Sequence, residues 1–146
     1  MNPNKLREEL EFDEGVKYEV YLDHLGYPTF GIGHLIRGTD PESGKPEGFP
    51  VSKERVEEAF KQDLLMVESD VVRLFPSFYQ LSEDVQHVLC NMVFNLGATR
   101  LGKFKNFRGA IADGDYKTAA AEMKDSRWYD QVTNRAERLR QRILEA

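Results

Sequence analysis

Hydrophobic residues recur at helical spacing along the longest patterned stretch of the chain, residues 53–74. Its apolar positions are spaced three or four residues apart and comprise Val56, Phe60, Leu64, Val67, Val71 and Leu74. This period predicts one long amphipathic helix. Ser52 is placed to cap its start, and Pro76 stops it.

Shorter helical patterns precede and follow this stretch. The residues between Ser82 and Gly97 are apolar on nearly every side, which predicts a central, buried helix. Asn2 is placed to cap a first helix that ends at Gly15. Several short helices are predicted after Gly97, and Asn134 is expected to cap the last of them.

A different pattern follows the first helix. The side chains of residues 16–21 alternate between two faces, one with Val16, Tyr18 and Val20 and the other with Lys17, Glu19 and Tyr21. This alternation predicts a β-strand. Residues 23–26, Asp-His-Leu-Gly, predict a hairpin turn into a second strand over 27–32. The following residues 37–50 contain three prolines and three glycines and are predicted to form a loop.

Composition bounds the class of protein. A chain of 146 residues with 40% hydrophobic and 31% charged residues fits one soluble globular domain. No apolar run reaches the roughly 18–20 residues of a membrane span. Residues 1–14 are charged and lack the apolar core of a secretory signal. Cys90 is the one cysteine, so no internal disulfide can form, and its helix predicts an inert core thiol.

Charge is distributed unevenly along the chain, whose formal net charge is −5. Residues 1–96 carry 9 Lys and Arg against 18 Asp and Glu, whereas residues 97–146 carry 11 against 7. The positive charge is spread over several short helices, although a nucleic-acid-binding protein would concentrate it on one face. Nucleic-acid binding is therefore poorly supported.

Candidate chemistry is concentrated around the predicted hairpin. The hairpin can bring Asp23 and Thr29 to the same edge of a small sheet, with Glu14 at its root. Two carboxylates and a hydroxyl in one cleft suit glycosidic bond cleavage, which needs a proton donor and a base that activates water. Gly31 and Gly33 leave little side-chain bulk, so another group can approach the backbone closely. The alternative for Asp13 and Glu14 is that they are two solvated acids at the end of a helix, since most acids are exposed.

The spacing of these residues resembles that of the phage-type lysozymes, glycoside hydrolase family 24, the T-even coliphage lysozyme family. Eight residues separate Glu14 from Asp23, five separate Asp23 from Thr29, and Gly31-Ile32-Gly33-His34 follows. Further matches lie at Asn91–Gly97, Ser126–Tyr129 and Asn134–Ala136. The resemblance covers nearly the whole chain.

The resemblance implies a lysozyme-like α+β fold that is predominantly helical. Within a single domain, residues 1–146, it implies a small antiparallel sheet lobe at 13–50 and a connecting helix at 53–74. A helical lobe would comprise residues 75–146 together with 1–12. Substrate would bind in a cleft between the lobes.

The family resemblance also implies an activity: hydrolysis of the β-1,4 bond between N-acetylmuramic acid and N-acetylglucosamine in bacterial peptidoglycan. Glu14 would be the general acid, while Asp23 and Thr29 would position water, with inversion at the anomeric carbon. The residues expected to bind substrate are Gly31, Gly33, Tyr27, Asn95 and Phe107. The expected supporting pairs are Arg135 with Glu14 and His34 with Asp63. No cofactor and no metal are implied.

Peptidoglycan is accordingly the expected partner, with no nucleic acid and no membrane, and the protein is expected to be a monomer. An endolysin without a signal peptide would be made in the host bacterial cytoplasm and reach the wall through a holin-type lesion. A virion-associated protein is left open. The alternatives are an inactive wall-binding or structural module on the same fold and a nucleic-acid-binding helical protein. Retention of Glu14, Asp23 and Thr29 argues against the first alternative, and the net charge of −5 argues against the second.

Overall fold

The computed structural model describes all 146 residues, Met1–Ala146. It contains eight α-helices and three β-strands. The helices are α1 (Pro3–Glu14), α2 (Lys53–Leu74), α3 (Glu83–Leu96), α4 (Ala98–Gly102), α5 (Lys105–Asp113), α6 (Tyr116–Lys124), α7 (Arg127–Gln131) and α8 (Thr133–Leu144). The strands are β1 (Lys17–Leu22), β2 (Pro28–Gly31) and β3 (His34–Leu35), and a short 3₁₀ helix spans Phe78–Gln80. The predicted fold class, α+β and mostly helical, is confirmed.

Three predicted helix caps are present. The Asn2 side chain accepts hydrogen bonds from the backbone N–H groups of Asn4 and Lys5 at the start of α1. The Ser52 hydroxyl accepts a hydrogen bond from the backbone N–H of Arg55 at 3.1 Å, at the start of α2. The Ser82 hydroxyl accepts one from the backbone N–H of Val85, at the start of α3. Each cap satisfies a backbone donor that the first turn of a helix leaves open.

The predicted cap at Asn134 is wrong. Helix α8 begins one residue earlier, at Thr133, and Val132 occupies the capping position without a side-chain hydrogen bond. Val132 also ends α7. Because a single residue joins the two helices, Asn134 is already inside α8 and cannot cap it.

The chain divides into two compact units, residues 7–66 and residues 1–6 with 67–146. The boundaries fall within α1 and α2. None of the helices combines the length and apolar character that a membrane crossing requires.

The first unit contains the antiparallel sheet, with strand order β1-β2-β3. Tyr21 pairs with Thr29, and Phe30 pairs with His34. The outer edge of β1 is also covered, because Val20 exchanges backbone hydrogen bonds with Gly48 and Phe49 at 2.7 and 2.8 Å. The end of the loop over 37–50 thus protects an edge that would otherwise be open to another chain.

The alternation predicted for residues 16–21 is only partly present. Val20 is buried, whereas Val16 and Tyr18 are exposed. The register of β1 against β2 shifts between Lys17 and Tyr21. Such an irregularity breaks the two-residue period of a strand, so the apolar side chains do not all reach the same face.

Helices α1 and α2 are joined within the first unit by an ion pair. The Arg7 guanidinium donates two hydrogen bonds to the Glu57 carboxylate, both at 2.6 Å. The Arg7 guanidinium also lies 5.3 Å from the centre of the Phe60 ring. This bidentate geometry fixes the orientation of the two side chains.

The second unit is built around α3. Most of this helix is buried, as its sequence predicted, and the buried Cys90 thiol contacts Met1 Sδ at 3.4 Å. Trp128 is also buried. Asn2, just before α1, also contacts α3, because its backbone N–H donates a hydrogen bond to His87 Nε2 at 3.1 Å.

Candidate active site

Glu14 is the last residue of α1, and its side chain rests against Gly33. A Cβ at Gly33 would lie 2.9 Å from Glu14 Cδ, Cγ and Oε1, closer than real Cβ atoms come to other atoms. Gly33 also has a φ of 60°, which side-chain-bearing residues rarely adopt. The carboxyl group of Glu14 is therefore seated on the backbone of the turn between β2 and β3.

Gly31, at the other side of this turn, is required for a similar reason. Its φ is 64°, and a Cβ would lie 3.0 Å from Val56 Cγ1 on α2. The sequence suggested that both glycines admit a substrate. The structure gives a second reason for glycine at these positions, because Gly31 lies against Val56 of α2 and Gly33 lies against Glu14. Their contact with a sugar stays a prediction.

Asp23 is held by the turn between β1 and β2. Its Oδ1 accepts hydrogen bonds from the backbone N–H groups of Leu25 at 2.9 Å and Tyr27 at 2.8 Å. This short-range pattern fixes the side chain relative to its own turn. It leaves Oδ2 to accept a hydrogen bond from water or a ligand. The Tyr27 side chain is 54% exposed and so can be reached by a ligand.

Thr29 is buried, 4% exposed. Its hydroxyl donates a hydrogen bond to the Tyr27 carbonyl at 2.9 Å. Because the proton of the hydroxyl is used in this way, its oxygen can serve as an acceptor for a further donor.

Tyr21 links these groups, because it pairs with Thr29 across the sheet. The pKa of Tyr21 is raised, first by burial and then by the negative charges of Glu14 and Asp23. Glu14, Asp23 and Thr29 all belong to the first unit. Glu14 rests against Gly33 just after β2, Thr29 lies on β2, and Asp23 lies in the turn that precedes β2.

His34 lies between two carboxylates. Its Nδ1 is 2.7 Å from Asp63 Oδ2, which confirms the predicted pair. Its Nε2 is 2.9 Å from Asp40 Oδ2, a contact that the sequence did not predict. Asp40 also contacts Arg55 Nη2 at 3.1 Å. The cluster joins the loop over 37–50 to α2.

The pKa values of this cluster move in opposite directions. Burial acts to lower the pKa of His34, but hydrogen bonds to Asp63 and Asp40 outweigh it and raise that pKa. Burial acts to raise the pKa of Asp40, but the backbone N–H of Arg37 and the His34 ring outweigh it and lower that pKa. The charged forms of both groups are thus favoured by folding.

The remaining predicted site residues belong to the second unit. Asn95 accepts a hydrogen bond from Trp128 Nε1 at 2.7 Å. Phe107 is buried and packs edge-on against Phe75, with ring centres 6.1 Å apart. Arg135 is also buried, and its Nε donates to Asn91 Oδ1 at 2.8 Å. The roles of Asn95 and Phe107 in substrate binding, and the pairing of Arg135 with Glu14, stay predictions.

Two features of the site were missed at the level of sequence. Tyr21 had a weak signal, because it is the last residue of the predicted strand and lies two residues before Asp23 in the chain. Asp40 had none, because it lies in a loop rich in proline and glycine, where no periodicity places a side chain.

The chain belongs to the phage lysozyme family, whose model matches residues 11–143. Among curated relatives, it is 32% identical to the pre-baseplate central spike protein Gp5 of Enterobacteria phage T4, over 98% of this chain but 28% of that protein. It is 28% identical to a probable T4-type lysozyme of Dictyostelium discoideum, over 93% of this chain and 91% of the relative. It is 29% identical to the peptidoglycan hydrolase gp36 of Pseudomonas phage phiKMV, over 90% of this chain and 14% of that protein.

Proposed function

We propose that this protein is a lysozyme that hydrolyses the β-1,4 bond between N-acetylmuramic acid and N-acetylglucosamine in bacterial peptidoglycan. One observation carries the proposal: in a member of the phage lysozyme family, Glu14 rests against Gly33 in the small sheet unit whose hairpin holds Asp23 and Thr29. Two relatives bear the names lysozyme and peptidoglycan hydrolase, which supports the substrate class.

Glu14 is the proposed general acid. Its carboxyl group is seated on the Gly33 backbone, which restricts how it can turn. As the glycosidic bond breaks, Glu14 gives its proton to the leaving oxygen, so that the departing sugar leaves as an alcohol.

Asp23 and Thr29 are proposed to hold the attacking water. The Thr29 hydroxyl donates to Tyr27, so its oxygen accepts one hydrogen of the water. Asp23 Oδ2 accepts the other hydrogen and takes that proton as the water oxygen bonds to the anomeric carbon. Both hydrogens of the water are then engaged, and its lone pair is directed at the sugar. Attack opposite the leaving group inverts the anomeric configuration.

The stereochemistry tests the role of Asp23. Proton NMR of a wall fragment during cleavage should show the α-anomer first, as expected for inversion. If the β-anomer appears first, the mechanism is retaining, and Asp23 would have to act as a nucleophile or stabilise charge instead.

The role of Glu14 is tested by Glu14→Gln, which keeps the size of the side chain but removes the proton to be donated. We expect lysis of permeabilised bacteria to fall by about 10²–10⁴-fold, as on loss of a general acid. The melting temperature should change by only a few degrees, because glutamine keeps the size and polarity of the side chain. Glu8→Gln is the matched control, since Glu8 is exposed on the same helix. If Glu14→Gln lyses cells at the parental rate, Glu14 is not the acid.

We further propose that the protein acts as a monomeric endolysin, made in the host bacterial cytoplasm and admitted to the wall when the inner membrane is opened. Expressed in such a host, it should cause lysis only after a membrane-disrupting agent or a holin is added. Lysis without either would point to another route of export. Wall binding without lysis would favour an inactive wall-binding module.

A further inference from the structure

The loop over residues 37–50 is attached to the rest of the first unit at two places. At its end, Gly48 and Phe49 exchange backbone hydrogen bonds with Val20 and so cover the outer edge of β1. Near its start, the Asp40 carboxylate contacts His34 on β3 and Arg55 on α2. Backbone hydrogen bonds inside the loop join residues three positions apart and shape its turns; the pairs are Arg37–Asp40, Asp40–Ser43, Glu42–Lys45 and Pro46–Phe49. The place of the loop on the unit therefore depends on the Asp40 side chain as well as on β1.

The His34 ring contacts a carboxylate through each of its two nitrogens. Nδ1 is 2.7 Å from Asp63 Oδ2 on α2, and Nε2 is 2.9 Å from Asp40 Oδ2 in the loop. An ionised carboxylate only accepts hydrogen bonds, and a neutral imidazole carries a hydrogen on one nitrogen only. Both contacts are therefore hydrogen bonds only while the ring is protonated. The His34 residue is 3% exposed, so water does not easily replace a lost partner.

Loss of the His34 proton acts on the loop rather than on the helix. In the neutral ring, one nitrogen presents a lone pair to an ionised carboxylate, and two acceptors cannot bond to each other. Asp63 is fixed within α2, a helix of 22 residues, whereas Asp40 belongs to a loop and is free to withdraw. The backbone N–H of Arg37 donates to Asp40 at 2.8 Å, but Arg37 lies in the same loop and moves with it.

The charged groups around the His34 ring come from the two segments packed against it. They are Asp63 and Arg55 on α2, and Arg37 and Asp40 in the loop. Arg55 also contacts the carboxylates of Glu42 and Glu58. Strand β2 contributes the uncharged Phe30 ring, whose centre is 4.8 Å from that of His34. Both arginines keep their charge near neutral pH, and histidine is the side chain that ordinarily titrates there.

We propose that residues 37–50 form a pH-sensitive strap, which protonated His34 holds against α2 through Asp40 and which loosens from the edge of β1 when His34 loses its proton. Once the strap has loosened, the backbone groups of Val20 are open to pairing with another strand. The inference does not rest on the proposed function, because it concerns an edge of the sheet and not the catalytic groups.

The direction of the pH effect follows from the pKa of His34. Burial acts to lower this pKa, but hydrogen bonds to Asp63 and Asp40 outweigh it and raise the pKa above its ordinary value of 6.5. In the loosened state the pKa returns towards 6.5. The strap is therefore held most firmly below pH 6.5, and it loosens as pH rises through the folded pKa of His34.

Amide hydrogen exchange followed by NMR measures this opening one residue at a time. The N–H groups of Val20 and Gly48 bond across the boundary between β1 and the strap, whereas that of Asp23 bonds to the Tyr27 carbonyl within the hairpin and is the reference. After correction for the intrinsic effect of pH, protection at Val20 and Gly48 should be constant up to about pH 6.5. It should then fall by up to about tenfold per pH unit and level off above the folded pKa of His34.

The total fall should be about tenfold or more, as on loss of a hydrogen bond between charged groups, and Asp23 should not share it. The ring signals of His34 give its titration midpoint in the same samples, with the exposed His24 as the matched reference histidine. Protection should level off near the midpoint of His34. Unchanged protection from about pH 5.5 to 8.5, or an equal fall at Asp23, would overturn the inference.

Two variants of the strap separate the contact with His34 from the general attachment of the loop. Asp40→Asn removes the carboxylate that faces His34, so protection at Val20 and Gly48 should be low and should no longer fall as pH rises. Glu42→Gln is the matched control, because Glu42 is an acid of the same strap whose carboxylate contacts Arg55. It should lower protection at every pH and keep the fall. A fall that persists in Asp40→Asn, or one that Glu42→Gln abolishes as well, would show that His34 does not act through Asp40.

Discussion

Replacing Gly33 by alanine should reduce activity much more than it reduces stability. The new methyl group would lie 2.9 Å from three atoms of the Glu14 side chain, whereas ordinary contacts of this kind are 3.4–4 Å. Glu14 would have to move by about 0.5 Å or more to clear it. Because a displacement of about 1 Å in a catalytic group can cost roughly 10²-fold in rate, we expect lysis to fall at least about tenfold.

The cost in stability follows from the backbone. Gly33 has a φ of 60°, and a side chain in this left-handed region costs roughly 1–2 kcal/mol. For a chain of this size, that corresponds to a drop of about 3–8 °C in melting temperature. The folded fraction at 25 °C would hardly change, so a fall in activity at that temperature would come from the site itself.

Gly114→Ala is the matched control for backbone strain. Gly114 has a φ of 70° at the end of α5, and no atom lies within 4 Å of its Cβ position. It should lower the melting temperature by a similar amount and leave lysis near the parental rate. The assay is the turbidity of permeabilised cells at 25 °C, with circular dichroism to establish folding. If Gly33→Ala keeps more than half of the parental activity, or if Gly114→Ala loses as much activity, the contact with Glu14 does not position the acid.

Two further predictions concern the charged groups. His34→Asn should lower the free energy of unfolding most between about pH 4 and 6.5. The pKa of His34 is raised, so its contribution to stability is complete below the unfolded pKa of 6.5 and is lost as pH rises through the folded pKa. The pKa of Asp40 is lowered, so its contribution is complete above the unfolded pKa of 3.8 and is lost as pH falls through the folded pKa. Urea titrations across pH measure the difference, and a difference that does not vary with pH would contradict the pairing. Lysis should tolerate added salt up to about 0.15 M, because attraction of an acidic protein to an anionic wall is weak from the start; a steep loss of activity over that range would instead point to a local basic patch.

The elements that the sequence predicted well depend on interactions between near neighbours. The caps at Ser52 and Ser82 join residues three positions apart, and the period of α2 is visible in a single stretch of chain. The cap at Asn134 failed because the end of α7 decides where α8 begins. The alternation over 16–21 failed for a longer-range reason. Strand β1 is paired on one side with β2 and on the other with residues 48–51, and no local pattern reveals a strand irregularity that depends on both partners.

The residues of the candidate site likewise fall into two groups, those held by near neighbours in the chain and those held by distant ones. Asp23 and Thr29 could be placed from sequence because each is held within its own hairpin. The seat of Glu14 on Gly33 joins residues 19 positions apart through a turn whose shape also depends on Val56. The sequence shows that glycine occurs twice in this turn, but only the packing shows which neighbour each glycine accommodates.

The interactions that position the proposed catalytic groups differ in kind from those that stabilise the first unit. Glu14 is restricted by steric contact with Gly33, and Asp23 is restricted by backbone N–H groups of its own turn. Stability in the same unit draws on ion pairs, such as Arg7 with Glu57 and His34 with two carboxylates. Ion pairs respond to pH and salt, whereas steric contacts do not. Changes of pH or salt should therefore weaken the unit before they disturb the placement of its catalytic groups. For the same reason, Gly33→Ala should impair activity in a protein that stays folded, while His34→Asn should lower stability in a protein that stays active.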